Sequence, residues 1–414
     1  MKILDFLNVS NISNLEADSG FVFQRILTKE ILKQRPSWEI YFISPENPLP
    51  EEPRLHHIPL DYGHSKFEAR FNFPWFELKE KLTPVISNID LIYINQSEQT
   101  ANFRALAGSL QPDKSIPIVS YVHYFPIDPG LNSFNGSMIK PSSNGRLHFD
   151  STLNTQNLGS IVLMRQIEAL SLSSYGITCS NFGINLIDSS IKKLFPDFSA
   201  KYEAINPPIC LNEASQGQNV KKDDRNTIVY NHRLYDHYGP NEFFEYLDWY
   251  YDNRRKDFRV IITDPTSGRS AERNTLDKSV GNNKSSILKR KYVDLIHSVE
   301  REEYYKTIGR CKIGIAPFKP SALWSMSLVD CMASGTPVIV PNYACFPEMV
   351  EKKSGLVITN KNELADTMDR MFDDSSFYQQ ARDYCIERSK NYSVENTAAK
   401  FIKFLRGLNN DRKC

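Results

Sequence analysis

The chain has no C-x-x-C pair, no Asp-x-Asp triplet, no apolar run near membrane-spanning length and almost no net charge. Each absence excludes a class of protein. Its seven cysteines, Cys179, Cys210, Cys311, Cys331, Cys345, Cys385 and Cys414, are scattered and odd in number, which disfavours both a disulfide framework and a zinc site and suits a reducing cytoplasm. Spanning a bilayer takes about 18 or more consecutive apolar residues, and no such run occurs. The start, Met1-Lys2-Ile3-Leu4-Asp5-Phe6-Leu7, meets an acid at its fifth residue and a polar Asn8 before a long apolar stretch forms, so no secretory leader is expected. Fifty basic against 49 acidic residues leave a net charge of +1, so no global field draws the protein to nucleic acid or anionic lipid, and any such partner must be met by a local patch.

What is present is length and a repeating pattern. At 414 residues the chain exceeds one ordinary core and divides naturally into two domains. Short, near-continuous apolar runs alternate with helical stretches: residues 3–7, Ile40-Tyr41-Phe42-Ile43, Leu91-Ile92-Tyr93-Ile94, Ile118-Val119-Ser120-Tyr121-Val122 and Gly176-Ile177-Thr178-Cys179. Runs of this kind suit parallel strands covered on both faces. The pattern restarts at Thr227-Ile228-Val229-Tyr230 and continues through residues 259–262, 312–315, 337–340 and 355–358. Two Rossmann-like units are therefore predicted, 1–205 and 206–390. A final segment, 391–414, carries Phe401, Ile402, Phe404 and Leu405 on one helical face. The Ser-, Asn- and Gly-rich stretches from Pro129 to Asn157 and from Thr266 to Lys284 read as mobile surface or as lids.

The run from Ser321 to Val340 joins an apolar, small-residue helix to a strand through Gly335-Thr336-Pro337. It resembles the donor-binding signature of GT-B glycosyltransferases, most closely the retaining family that uses nucleotide-sugars. The resemblance covers most of the chain and is strongest from Thr227 to Val350. It implies an α/β fold of GT-B type, with two Rossmann-like domains facing across a cleft and a C-terminal helix crossing back. It also implies a UDP- or GDP-sugar donor, no obligatory metal, and retention of configuration.

By the same resemblance, Arg233 falls on the family's arginine, which contacts the donor diphosphate and is expected to stabilise the leaving group. Tyr238 stands where the family usually has lysine, beside His237, which removes one expected cation. Helix-start residues Ser325, Met326, Ser327 and Leu328 are the expected phosphate-binding amides. Asp330 occupies the second of the family's two glutamate positions and is expected to accept from a ribose diol. Ala322 occupies the first, so sugar recognition must differ or pass to Ser321 or Ser325. Gly20, after Ala17-Asp18-Ser19, matches a phosphate-approach loop, and His123 matches a histidine near the reacting sugar. Glu348 matches an acid in the loop after the strand, where it can simply cap the following helix.

For the acceptor, Asn231-His232-Arg233 also resembles the corresponding region of tRNA-queuosine mannosyltransferases, and the departures at Ala322 and Tyr238 resemble those of phage enzymes that glycosylate hydroxymethylated DNA bases. A hydroxymethylated nucleobase is the leading expectation, in a host cytoplasm if phage-encoded. Arg254, Lys289 and Arg290 are the candidate nucleic-acid contacts. A saccharide, small molecule or tRNA acceptor stands as the alternative, with a degenerate GT-B binding protein as another.

Overall fold

In a computed structural model, the structure describes residues 1–7, 15, 19–60, 71–128, 148–149, 158–264, 279–297, 300–353 and 355–410. Chain contacts divide it into two units. The first comprises Met1–Phe125, Ser160–Pro208 and Val394–Cys414; the second comprises Pro126–Gly159 and Ile209–Ser393.

The first unit holds β1 (Lys2–Leu7), β2 (Glu39–Ser44), β3 (Leu55–Pro59), β4 (Leu91–Asn95) and β5 (Ile118–Val122). The two-residue antiparallel pair β6 (Ile127–Asp128) and β7 (His148–Phe149) falls in the second unit. β8 (Tyr175–Thr178) and β9 (Tyr202–Ala204) complete a parallel first sheet ordered β3-β2-β1-β4-β5-β8-β9. Its helices are α1 (Ser19–Gln34), α2 (Trp75–Leu82), α3 (Thr100–Leu110), α4 (Leu158–Leu172) and α5 (Asn181–Leu194). The alternation along β1 divides the two faces. Leu4 and Phe6 join Ile92, Ile94, Phe103 and Leu106 in a dense apolar cluster, and Asp5 looks to the other side.

In the second unit β10 (Asn226–Tyr230), β11 (Phe258–Asp264), β12 (Val293–His297), β13 (Ile313–Ile315), β14 (Val338–Pro341) and β15 (Val357–Ile358) form a parallel sheet ordered β12-β11-β10-β13-β14-β15. The helices are α6 (Pro240–Asn253), α7 (Ser279–Ile287), α8 (Arg301–Arg310), α9 (Met326–Ala333), α10 (Lys361–Asp373) and α11 (Ser375–Ser389). The last helix, α12 (Val394–Asn410), returns to the first unit, where Phe401 packs edge-on against Tyr93 of β4 at 5.0 Å. In both sheets the strand order reverses beside the first strand of the unit, and the carboxyl ends there are where such folds bind ligands.

The edge strands β3, β9 and β12 are absent from the sequence expectation. Residues 55–59 read Leu-His-His-Ile-Pro and 202–204 read Tyr-Glu-Ala, mixed in polarity because an edge strand has fewer neighbours to bury it. The expected surface segment from Pro129 to Asn157 lies outside the described residues except for 148–149, as does 266–278 of the second.

One close approach fixes α8. A Cβ on Gly309 would lie 2.2 Å from the carbonyl oxygen of Gly217 and 2.6 Å from its Cα, so two backbones touch there. Gly309→Ala is expected to lose about 2 kcal/mol or more in denaturant unfolding, because the overpacking outweighs alanine's better helix propensity. Wild-type stability in that variant would refute the contact.

Candidate active site

Three residues after β10 build the site of the second unit from the backbone outward. Asn231 donates from Nδ2 to the carbonyl of Ser327 at 2.9 Å and to the hydroxyl of Tyr304 at 3.1 Å. His232 lies 2.7 Å through Nε2 from the carbonyl of Ile315, an acceptor only, so Nε2 carries the ring proton. Its Nδ1 then accepts from the hydroxyl of Ser327 at 3.0 Å. Burial pushes the His232 pKa down to about 4, against the bond to Ile315, so the ring is neutral at ordinary pH. These bonds clamp the loop to the first turn of α9.

Arg233 follows directly. It is partly buried, and its side chain makes no hydrogen bond or ion pair with the other described residues. A partly desolvated guanidinium beside a helix start is a ready anion clamp. At that start Ser325 is extended (φ −139°, ψ 102°) and its side chain makes no capping bond. The amides of Met326, Ser327 and Leu328 have no intrahelical acceptor by helix geometry, so the macrodipole adds to an anion site there.

Tyr238 sits in the turn Asp236–Tyr238, closed by Gly239 at φ +63°. A Cβ on Gly239 would lie 2.6 Å from the carbonyl oxygen of Phe318, which seats this turn on the loop after β13. That loop brings Lys319 to Tyr238, with Nζ 4.4 Å from the ring centroid. A cation therefore lies over Tyr238 itself, contributed from 81 residues away. The side chain of His237 lies outside what the structure describes.

Asp330, one turn into α9, is partly buried. Tyr304 donates its hydroxyl to Oδ2 at 3.0 Å and Tyr305 to Oδ1 at 3.4 Å. Burial raises the carboxyl to about 6, opposed by the charge of Arg301 and by the two phenols. Arg301 in turn donates to Tyr305 and pairs with Glu213 at 2.5 Å.

Ala322, the residue in place of the first glutamate, is only 3% exposed, and its carbonyl accepts from the amide of Cys345 at 3.3 Å. Ser321 and Ser325 are buried as well. Beyond β14 Ala344 takes a left-handed backbone, φ +53°, the conformation that favours glycine. Glu348 lies in the short helix Phe346–Met349, where its carbonyl accepts from Arg388 at 3.2 Å.

In the first unit His123 follows β5. It stacks on Tyr121 at 4.1 Å, meets the edge of Phe23 at 5.4 Å, and bonds through Nε2 to Asn95 at the end of β4. Gly20 is in the first turn of α1, while Ala17 and Asp18 lie outside the described residues.

The basic cluster is less available than its sequence suggests. Arg254 pairs with Asp366 at 2.7 Å, and Arg290 grips Asp248 with Nη2 at 2.8 Å and Nε at 2.9 Å. Lys289 alone of the three is exposed without an ion pair among the described residues. Sequence reasoning also passed over Asn231, His232 and Tyr304 as site residues; a polar Asn-His pair directly after an apolar strand was the available signal.

Among the described residues no three His, Cys, Asp or Glu side chains gather as a metal site, and no helix is long and apolar enough to cross a membrane. The profile of the family described as glycosyl transferases group 1 matches residues 212–392. No curated protein sequence matches the chain. Among solved structures, sucrose-phosphate synthase from Thermosynechococcus elongatus aligns over 99% of this chain and 100% of its own, at 15% identity and TM-score 0.66. HepE of Anabaena, in complex with UDP and glucose, aligns over 98% and 99% at 13% identity and TM-score 0.62. The trehalose-6-phosphate protein from E. coli bound with UDP-2-fluoro glucose aligns over 98% and 99% at 10% identity and TM-score 0.65. Residues 212–392 thus match the group 1 glycosyl transferase family, and the two parallel-sheet α/β units share the GT-B fold of these solved glycosyltransferases.

Proposed function

We propose that the enzyme binds the diphosphate of a UDP- or GDP-sugar between Arg233, Lys319 and the first-turn amides of α9, and transfers the sugar to an acceptor hydroxyl with retention of configuration. The observation that carries this is Arg233, unpaired among the described residues and one residue from a histidine clamped to the uncapped start of α9. Negative charge accumulates on the diphosphate as the anomeric bond breaks. Donors already aimed at it stabilise that charge without reorganisation. Lys319 takes the place of the cation missing at Tyr238, and Asp330 accepts from the ribose diol. A role for His123 at the reacting sugar rests on the family resemblance. The UDP bound by HepE and the UDP-2-fluoro glucose bound by the E. coli protein put UDP first among the donors to test.

For the acceptor we carry forward a hydroxymethylated nucleobase. The pairing of Arg254 and Arg290 with carboxylates removes them as phosphate contacts in this reading and leaves Lys289. Nucleotide release is measured from UDP-, GDP- and ADP-sugars, with and without oligonucleotides carrying 5-hydroxymethylpyrimidines. Oligonucleotide mass and the anomeric configuration of the product are then read. A gain of one sugar mass with retained configuration supports the full proposal. Release without mass gain moves the acceptor to glycans, small molecules or tRNA, and inversion refutes retention.

If Asp330 accepts from the donor, it must be ionised to do so with both oxygens. The KM for donor is then expected to rise several-fold as pH falls through about 6, and this rise is expected to vanish in Asp330→Asn. An unchanged pH profile in that variant would remove Asp330 from donor binding.

A further inference from the structure

Four polar side chains from β1, α1, β4 and the residue after β5 form one continuous hydrogen-bonded chain in the first unit. Gln24 bonds the carboxyl of Asp5, Asn95 bonds Gln24, and His123 bonds Asn95 through Nε2. Asp5, Gln24 and Asn95 are 2%, 1% and 2% exposed, and only the imidazole end reaches partial exposure.

Both middle links are amides, each with one donating and one accepting end, so the chain has a direction and only two complete arrangements. With Asp5 ionised, the carboxylate can only accept. Gln24 donates to it from Nε2 and accepts at Oε1 from Asn95. The Oδ1 of Asn95 then needs a donor, which places the ring proton of His123 on Nε2. With Asp5 protonated, its hydroxyl donates to Oε1 of Gln24, Gln24 donates to Oδ1 of Asn95, and Asn95 donates to a bare Nε2. The ring proton of His123 then sits on Nδ1. Passing between the two adds one proton at Asp5, rotates two amides by half a turn, and exchanges one ring proton for another through solvent, leaving the imidazole neutral in both.

We propose that the chain Asp5–Gln24–Asn95 sets which nitrogen of His123 carries the proton, making Asp5 a positioning residue that acts on His123 from two strands away. In one arrangement Nδ1 presents a lone pair; in the other it presents an N–H. The consequence for sugar transfer rests on the proposed placement of His123 at the reacting sugar, whereas the tautomer itself does not.

The surroundings allow both arrangements. Burial pushes the Asp5 carboxyl up to about 8, against the bond from Gln24 and the nearby Thr28 hydroxyl, and Oδ1 has no hydrogen-bond partner among the described residues. The titratable neighbours stay neutral in this range. Tyr93 lies opposite Asp5 on β4, with Tyr121 of β5 and Cys179 after β8 beyond it. Burial raises both phenols well above their usual value and pushes the thiol up to about 12. Across β2 stands Phe42, from α1 come Gln24 and Thr28, and α12 covers Tyr93 with Phe401.

The test is long-range proton–nitrogen NMR on the full chain labelled at its eight histidines, with the His123 signals assigned by their loss in His123→Asn. The neutral-ring ratio of Nε2–H to Nδ1–H is expected to rise at least about tenfold from about pH 7 to about pH 9, as a one-proton equilibrium near 8 requires. In Asp5→Asn, and separately in Gln24→Met, which cuts the chain and leaves Asp5 in place, the ratio is expected to become independent of pH. A pH-invariant ratio in the wild type overturns the proposal, and so does a wild-type pH response in either variant. Absence of sugar transfer alongside an intact tautomer response would instead refute the reading of the site.

Discussion

Replacing Arg233 with alanine is expected to lower turnover by at least about tenfold, and up to about a hundredfold, with no loss of thermal stability. Both halves of this expectation follow from its surroundings. In the proposed role at the leaving diphosphate, removing this cation withdraws stabilisation that grows as the bond breaks, so kcat is expected to fall more than donor affinity. Because Arg233 pairs with no carboxylate among the described residues, truncating it leaves no buried charge unmatched. Lys319→Ala is expected to cost less, several-fold, with partial recovery when Tyr238→Lys restores a cation on the neighbouring turn. The check is steady-state nucleotide release together with a melting curve for each variant. Unchanged turnover in Arg233→Ala would remove it from the mechanism, whereas loss of turnover accompanied by a lowered melting temperature would show a structural role instead.

The second large effect is on stability, and it depends on pH. The carboxyl of Asp5 titrates near 8 in the folded chain against an ordinary value of 3.8. The folded state therefore holds a proton that the unfolded state has released throughout that window. Stability associated with this group is fully present on the acid side, falls as pH rises from about 4, and is gone above about 8. At 1.36 kcal/mol per unit, the loss across the window is of order 5 kcal/mol as an upper bound. Asp5→Asn keeps the shape and the bonding to Gln24 but cannot ionise. Its melting temperature should match the wild type near pH 4 and exceed it by several degrees at pH 8 to 9. A difference that stays constant across that range would show that Asp5 does not titrate in the folded chain.

How much of this was legible in the sequence depends on the distance over which each decision is made. The interior strands were legible because a strand covered on both faces must be apolar along its whole length, as in Ile118–Val122 and Leu91–Asn95. The helix-to-strand turn at Gly335-Thr336-Pro337 was legible because its residues are neighbours, and Gly335 does take φ +72°. The edge strand Leu55–Pro59 was not, because an edge tolerates the histidines and proline that mask the pattern.

The sequence by itself determined two α/β units, the run that leads into the group 1 site, and the position of Arg233 directly after a buried strand. Only the tertiary structure decided what those residues meet. Asn95 and Gln24 are 71 positions apart, and Arg254 and Asp366 are 112 apart. No local pattern encodes such pairings, because they arise when long crossovers lay strands and helices that are distant in sequence against one another. That is why a lysine absent from position 238 returns from position 319, why two arginines of the basic cluster are neutralised, and why the acid at position 5 connects to the histidine at position 123.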